Sequence, residues 1–130
     1  MVYFSIININ NIEAHVTQLS THFKSSEFAC KCCGLSDVNP ALITMLEDIR
    51  TMVNKAVHIN SGRRCEAHNK ECGGKPHSQH LLGNAADIHV DGLTPKQLAS
   101  VIEAQIHPAG MGVYQTFVHV DVRPGPRARW

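Results

Sequence analysis

Apolar residues recur at helical spacing most clearly between positions 42 and 53. Leu42, Ile43, Leu46, Ile49 and Val53 fall three and four apart, which predicts a helix with one buried stripe. Asn39-Pro40 opens it, with asparagine as cap and proline in the first turn. A second helix follows Thr94-Pro95-Lys96-Gln97, a capping box with proline at its first position, and turns Leu98, Val101 and Ile102 inward. Between the two, Ala56-Val57-His58-Ile59-Asn60 and Ala85 to Val90 have strand character. Met111 to Gln115 and Phe117 to Val122 are two further strands, close enough to form a hairpin, and Pro124-Gly125-Pro126 ends the second. Residues 62 to 78 hold Gly62, Gly73, Gly74 and Pro76 and read as a loop, with room for one helical turn near Glu66 to Lys70. Residues 9 to 22 read as a weakly amphipathic helix or loop. Long helices with short, locally paired strands predict an α+β domain built on a small, mostly antiparallel sheet.

A chain of 130 residues is expected to form a single domain, 1–130, with one core. Its net charge of +1 supplies no broad basic field, so nucleic acid is not an expected partner. No apolar run approaches the ~20 residues of a membrane span. Met1 to Asn8 has apolar character but no basic n-region, so no classical signal peptide is expected and the chain is expected to be made in the cytoplasm. A monomer is expected. Five cysteines are an odd count. Cys30 and Cys33 have the spacing of a zinc-binding pair, but Cys65 and Cys72 do not match it, so reduced, partly buried thiols are the favoured reading and a second metal site the lesser one.

The chemistry concentrates in two segments. Ser78-Gln79-His80-Leu81-Leu82-Gly83-Asn84-Ala85-Ala86-Asp87 places a histidine in a turn and an aspartate in the strand that follows. Phe117-Val118-His119-Val120-Asp121 places a second histidine in a strand, with Phe117 and Asp121 on its face and the valines on the other. Two imidazoles and a carboxylate are a ligand set for a catalytic zinc ion, which keeps a fourth position for water. Water there becomes a nucleophile near neutral pH, which points to a hydrolase. Ile88-His89-Val90-Asp91 repeats the His119 pattern, so by spacing alone His89 is a rival ligand.

Ser-x-His-x-x-Gly-x-Ala-x-Asp at 78–87 followed by His-x-Asp at 119–121 resembles the zinc D-Ala-D-Ala carboxypeptidases and phage endolysins of the M15 peptidase family. Phe23 to Cys30, Ser61-Gly62-Arg63-Arg64-Cys65-Glu66-Ala67-His68-Asn69 and the ending from Gly110 to Trp130 are similar to further segments of that family, in the same order. The resemblance covers roughly residues 20 to 130. It implies the fold of hedgehog and DD-peptidase domains, a zinc ion held by His80, Asp87 and His119, and hydrolysis of peptidoglycan stem peptides, either as a carboxypeptidase or as an endopeptidase. The small size and missing signal peptide then favour a phage or prophage lysin that reaches the cell wall after release.

The resemblance also places Arg64 at the family's arginine, suited to stabilise an oxyanion beside zinc. Arg63 sits where an aromatic is commoner. Ser78 matches a serine that helps hold substrate, and a turn-stabilising hydroxyl is its other reading. Many relatives carry an acid three residues before the last zinc histidine, where this chain has Thr116. Asp121, His77 and His89 are the remaining candidates for proton transfer, and Asp121 can instead orient an imidazole. A non-catalytic cell-wall-binding or phage structural domain that keeps the fold is the rival reading, and Thr116 is what favours it.

Overall fold

The computed structural model describes residues 2–7 and 13–130. Its strands are β1 (Val2–Ile7), β2 (Glu13–Gln18), β3 (His58–Ser61), β4 (Ala85–His89), β5 (Gly110–Val113), β6 (Val118–Asp121) and β7 (Ala128–Arg129). Its α-helices are α1 (Pro40–Val53), α2 (Glu66–Glu71) and α3 (Pro95–Gln105). β1 and β2 pair with each other as an antiparallel hairpin. The other strands form one sheet in the order β3-β4-β6-β5-β7, antiparallel except where β7 runs parallel to β5. The architecture is α+β, and no helix among the described residues is long and apolar enough to cross a membrane.

The helices start where their caps dictate. Asn39 accepts a hydrogen bond from the Ala41 N–H at 2.9 Å, with Pro40 at the first turn. Thr94 and Gln97 close a reciprocal capping box at 3.2 and 2.9 Å. α1 buries Leu42, Leu46 and Ile49, and α3 buries Leu98 and Ile102 against the same core; Ala99 is buried where Val101 was expected, and Val101 is half-buried. The sheet answers with Ala86 and Ile88 of β4 paired to Val120 and Val118 of β6. Side chains alternate along a strand, so committing these residues to the core sends Ala85, Asp87, His119 and Asp121 to the opposite face. The sheet is therefore apolar toward the helices and polar on the face that carries the chemistry.

Two expectations need correction. Residues 13–18 form strand β2, not a helix or loop; Glu-Ala-His-Val-Thr-Gln alternates at period two, and pairing with β1 supplies the ladder that a local reading does not see. The part of that expectation at 9–12 lies outside the described residues. β7 was not anticipated at all. It is two residues long and held by Ala128 N–H to Ala109 O and Trp130 N–H to Met111 O at 2.9 and 3.1 Å.

Glu47 of α1 ties the segment before residue 23 to the helix. Its carboxylate accepts from the Ser20 hydroxyl and from the His22 N–H at 2.7 Å, and contacts His22 Nδ1 at 2.6 Å. Burial raises its pKa, but these hydrogen bonds outweigh it and hold the group below its ordinary value. A depressed carboxylate contributes stability above its unfolded pKa and loses it as pH falls through the folded one. Glu47→Gln is therefore expected to cost about 1–3 kcal/mol at neutral pH. The deficit should shrink as pH falls below the Glu47 range, read from denaturant melts of both proteins across that range. A deficit independent of pH would show that the charge contributes nothing.

Candidate metal centre

The register of the central strands assembles the site. Asp87 of β4 lies directly opposite His119 of β6, and Ala85 opposite Asp121. His80 approaches from the 3₁₀ turn Gln79–Leu82, which Ser78 caps by accepting from the His80 N–H at 3.3 Å. That turn ends at Gly83, whose φ of +72° is the left-handed conformation that favours glycine. The ligand atoms of His80, Asp87 and His119 lie within 4.8 Å of one another and could hold a metal ion.

Hydrogen bonding fixes which nitrogens face inward. The Gly62 carbonyl lies 2.7 Å from His80 Nδ1 and can only accept, so Nδ1 carries the proton and Nε2 presents a lone pair. His119 Nε2 lies 2.8 Å from the Asp121 carboxylate and donates to it, which leaves Nδ1 facing the site. Asp87 Oδ1 is 3.1 Å from His80 Nε2 and 3.1 Å from His119 Nδ1. Lone pairs on two nitrogens thus converge on a carboxylate oxygen, an arrangement suited to a cation between them. Burial lowers the His119 pKa, but the Asp121 and Asp87 carboxylates overcome it and raise the value. Burial likewise pushes Asp87 upward, and its hydrogen bonds with His119 and His80 hold it well below the usual carboxylate range. The donor set fits a divalent metal with two imidazoles and one carboxylate.

Around these three lies a shell of oriented side chains. Arg64 spends three donors on it: Nη2 to Asp87 Oδ2 at 3.1 Å, Nε to Ser61 Oγ at 3.1 Å and Nη1 to Asn69 Oδ1 at 3.3 Å. Ser61 can reach because β3 bulges between Ile59 and Ser61. Asp121 is fully buried, behind His119, where Arg123 donates to it from Nη2 at 2.7 Å and from Nε at 2.9 Å. Burial raises Asp121, and His119 and Arg123 outweigh that and hold it below the carboxylate range. Gly110 stands opposite Asp121 in β5, and a Cβ there would lie 2.2 Å from Asp121 Oδ2, so the carboxylate fits only over glycine.

A cavity of about 600 Å³ opens on this face. Arg64, His77, Ser78, His80, Asp87 and His119 all line it. Its far wall is aromatic, made of Tyr114, Phe117 and Trp130. Trp130 packs its ring 5.0 Å from that of His119, over Gly112, and donates from Nε1 to Tyr114 Oη at 2.7 Å. Arg63 does not line the cavity; it reaches toward Asp37 at 3.3 Å. His89 does not join the centre either. It stacks on His58 at 4.7 Å, hydrogen-bonds Asn60 and, with His58 and Asp91, forms a separate exposed group near the β3 edge. Among the described residues Asp87 is the cavity's one carboxylate.

Arg123, Trp130, Asn69 and the Gly62 carbonyl were not anticipated as parts of the site. Arg123 had a usable signal, since it follows Asp121 by two residues and so shares its side of the extended chain. Trp130 had only its singularity, and a carbonyl leaves no mark in a sequence.

The family model described as Peptidase M15 matches residues 21–121. The chain belongs to the peptidase M15 family. The match spans every residue of the centre except those contributed by the ending, Arg123 and Trp130. A comparison with curated proteins returns no match.

Asp121 supports an imidazole that faces the metal position, so its loss should weaken that imidazole as a donor. Asp121→Asn is expected to lower zinc affinity by roughly 10-fold to 100-fold, whereas His89→Ala leaves it unchanged. Calorimetric titration of both variants with zinc checks this. Weakening by His89→Ala instead would mean that the wrong histidine has been placed at the metal.

Proposed function

We propose that this M15 family member is a zinc-dependent peptidase that hydrolyses peptide bonds in peptidoglycan stem peptides, as a D-Ala-D-Ala carboxypeptidase or an endopeptidase of the kind a phage or prophage lysin supplies. The observation that carries the reading is the convergence of His80 Nε2, His119 Nδ1 and Asp87 Oδ1 on the floor of the cavity. Zinc held by these residues would supply a Lewis acid and a water acidified to near neutrality.

The chain's own residues account for the rest. Arg64 has five N–H groups, of which three are engaged, so its guanidinium is locked in place with a further N–H on each terminal nitrogen. A donor fixed in advance stabilises a developing oxyanion without reorganisation cost at the moment of reaction. Ser78 lines the same cavity and would meet the peptide, while its hydroxyl also caps the His80 turn. Tyr114, Phe117 and Trp130 present apolar surface to substrate side chains and exclude water. Lys75, Arg64 and Arg123 make the lining cationic, which suits a peptide ending in a carboxylate.

Proton transfer falls to His77. Asp121 is sealed behind His119 and does not reach the cavity, and His89 stands apart, so of the three candidates His77 alone lines it. Asp121 then acts by holding His119 in its orientation. A non-catalytic wall-binding domain is favoured by one fact, the threonine at 116, and His77 removes the need for an acid there.

Zymography on purified cell wall, with and without a chelator, tests the whole reading: clearing that disappears on chelation and returns with zinc is expected, and intact binding without clearing would establish the non-catalytic alternative. Arg64→Ala should reduce the rate by about 100-fold to 1,000-fold. Excess zinc should not restore it; full restoration would make Arg64 only a prop for Asp87.

His77→Ala should retain zinc yet lose roughly 100-fold to 10,000-fold in rate, together with the acidic limb of the pH–rate profile. An unchanged profile would remove His77 from the mechanism.

A further inference from the structure

Two cysteines of one turn, Cys30 and Cys33, meet a third from far along the chain, Cys65, beside the Arg64 loop. The sulfurs of Cys30, Cys33 and Cys65 lie within 4.8 Å of one another, and Cys30 Sγ is 3.7 Å from Cys65 Sγ. A disulfide would need about 2.05 Å. A tetrahedral ion with zinc–sulfur bonds of about 2.3 Å separates its sulfurs by about 3.8 Å, and the observed spacing matches that value.

The backbone around Cys30 is shaped for a thiolate. The chain turns back on itself from Cys30 to Leu35, with Gly34 N–H donating to Cys30 O at 2.8 Å and Cys30 N–H to Leu35 O at 2.7 Å. Gly34 takes a φ of +79° to close the turn. The Cys65 N–H reaches the Cys30 sulfur from the start of α2 at 3.4 Å. Cys65 sulfur in turn caps α2, accepting from His68 N–H at 3.5 Å. Cys32 is exposed and stands outside the three-sulfur group. Cys72 stands apart, paired with His68 Nε2 at 3.4 Å.

We propose that Cys30, Cys33 and Cys65 bind a zinc ion through their three thiolates, with solvent in the fourth position. Each coordinating thiol gives up its proton to solvent as the ion binds. The Cys-x2-Cys half of the site is local, and Cys65 completes it from the next segment, so the mismatched spacing of Cys65 and Cys72 is no obstacle. The ion would join residues 30–33 to the start of α2, one residue beyond Arg64. Main-chain contacts at this loop include Arg63 N–H to Phe28 O at 2.9 Å, Arg64 N–H to His80 O at 3.1 Å and Cys65 N–H to Cys30 Sγ at 3.4 Å. The site would therefore act as a staple under the loop that positions Arg64.

This inference does not depend on the reading of His80, Asp87 and His119, and cobalt separates the two. The full chain, reduced and loaded with Co2+, is expected to show thiolate-to-cobalt charge-transfer absorption. His80→Ala should keep that band, and Cys33→Ser and Cys65→Ser should each abolish it and lower the zinc bound per chain. Cys33 is exposed, so its serine variant should fold even if Cys65→Ser does not. Chelation should lower the melting temperature of His80→Ala, where the cysteine site alone remains, and leave His80→Ala/Cys33→Ser unmoved. Absence of the band in the reduced wild-type protein, or a band that survives in both serine variants, would overturn the proposal. So would a Cys30–Cys65 disulfide in protein prepared and kept under reducing conditions.

Discussion

Asp87 is a carboxylate almost wholly withdrawn from water at the cavity wall, and the surrounding structure is arranged to keep it charged. A buried anion is costly unless its oxygens are matched by cations and donors. One oxygen faces two imidazoles and the other faces a guanidinium. Each partner must in turn be held: His80 by the Gly62 carbonyl, His119 by Asp121, Arg64 by Ser61 and Asn69. The polar network therefore extends from one acid through the central strands to the bulge in β3 and the short helix α2. Removing a partner leaves a buried group unsatisfied, which is why such networks act as units.

Strand register delivers this arrangement. His119 meets Asp87 because β4 and β6 pair with those residues in opposition, and a slip of one residue would turn both toward the helices. The apolar face resists any such slip, since Ile88, Val118 and Val120 would then leave the core. Packing of the hydrophobic side thus sets the geometry of the polar one.

Local patterns in the sequence were enough for the elements whose signals are local. The stripe on α1, the box at Thr94 and the alternation in β4 and β6 could all be read from neighbouring residues, and so could the two histidines and the aspartate once the paired motif was seen. The distinction between His89 and His119 was not legible from periodicity, because both sit in the same Xaa-His-Val-Asp frame. It is decided by neighbours: His119 lies on a central strand opposite Asp87, and His89 at a strand end opposite His58. β2 and β7 depend on partners far along the chain, as does the meeting of Cys30 with Cys65. Arg64 could be chosen over Arg63 only through the family resemblance, and its contact with Asp87 appears only in three dimensions.

The bulge at Asn60 does more than aim Ser61 at Arg64. β3 is one border of the main sheet, and a straight border of unpaired amides is a template on which another chain can grow. Here the border is kinked, and the Lys31 ammonium occupies the Asn60 carbonyl at 2.8 Å, so an incoming strand would meet a charge and a broken ladder. At the other border β7 is two residues long, too short to seed a pairing of any strength. The same irregularity that turns Ser61 toward Arg64 therefore also blunts this border of the sheet against further strand pairing.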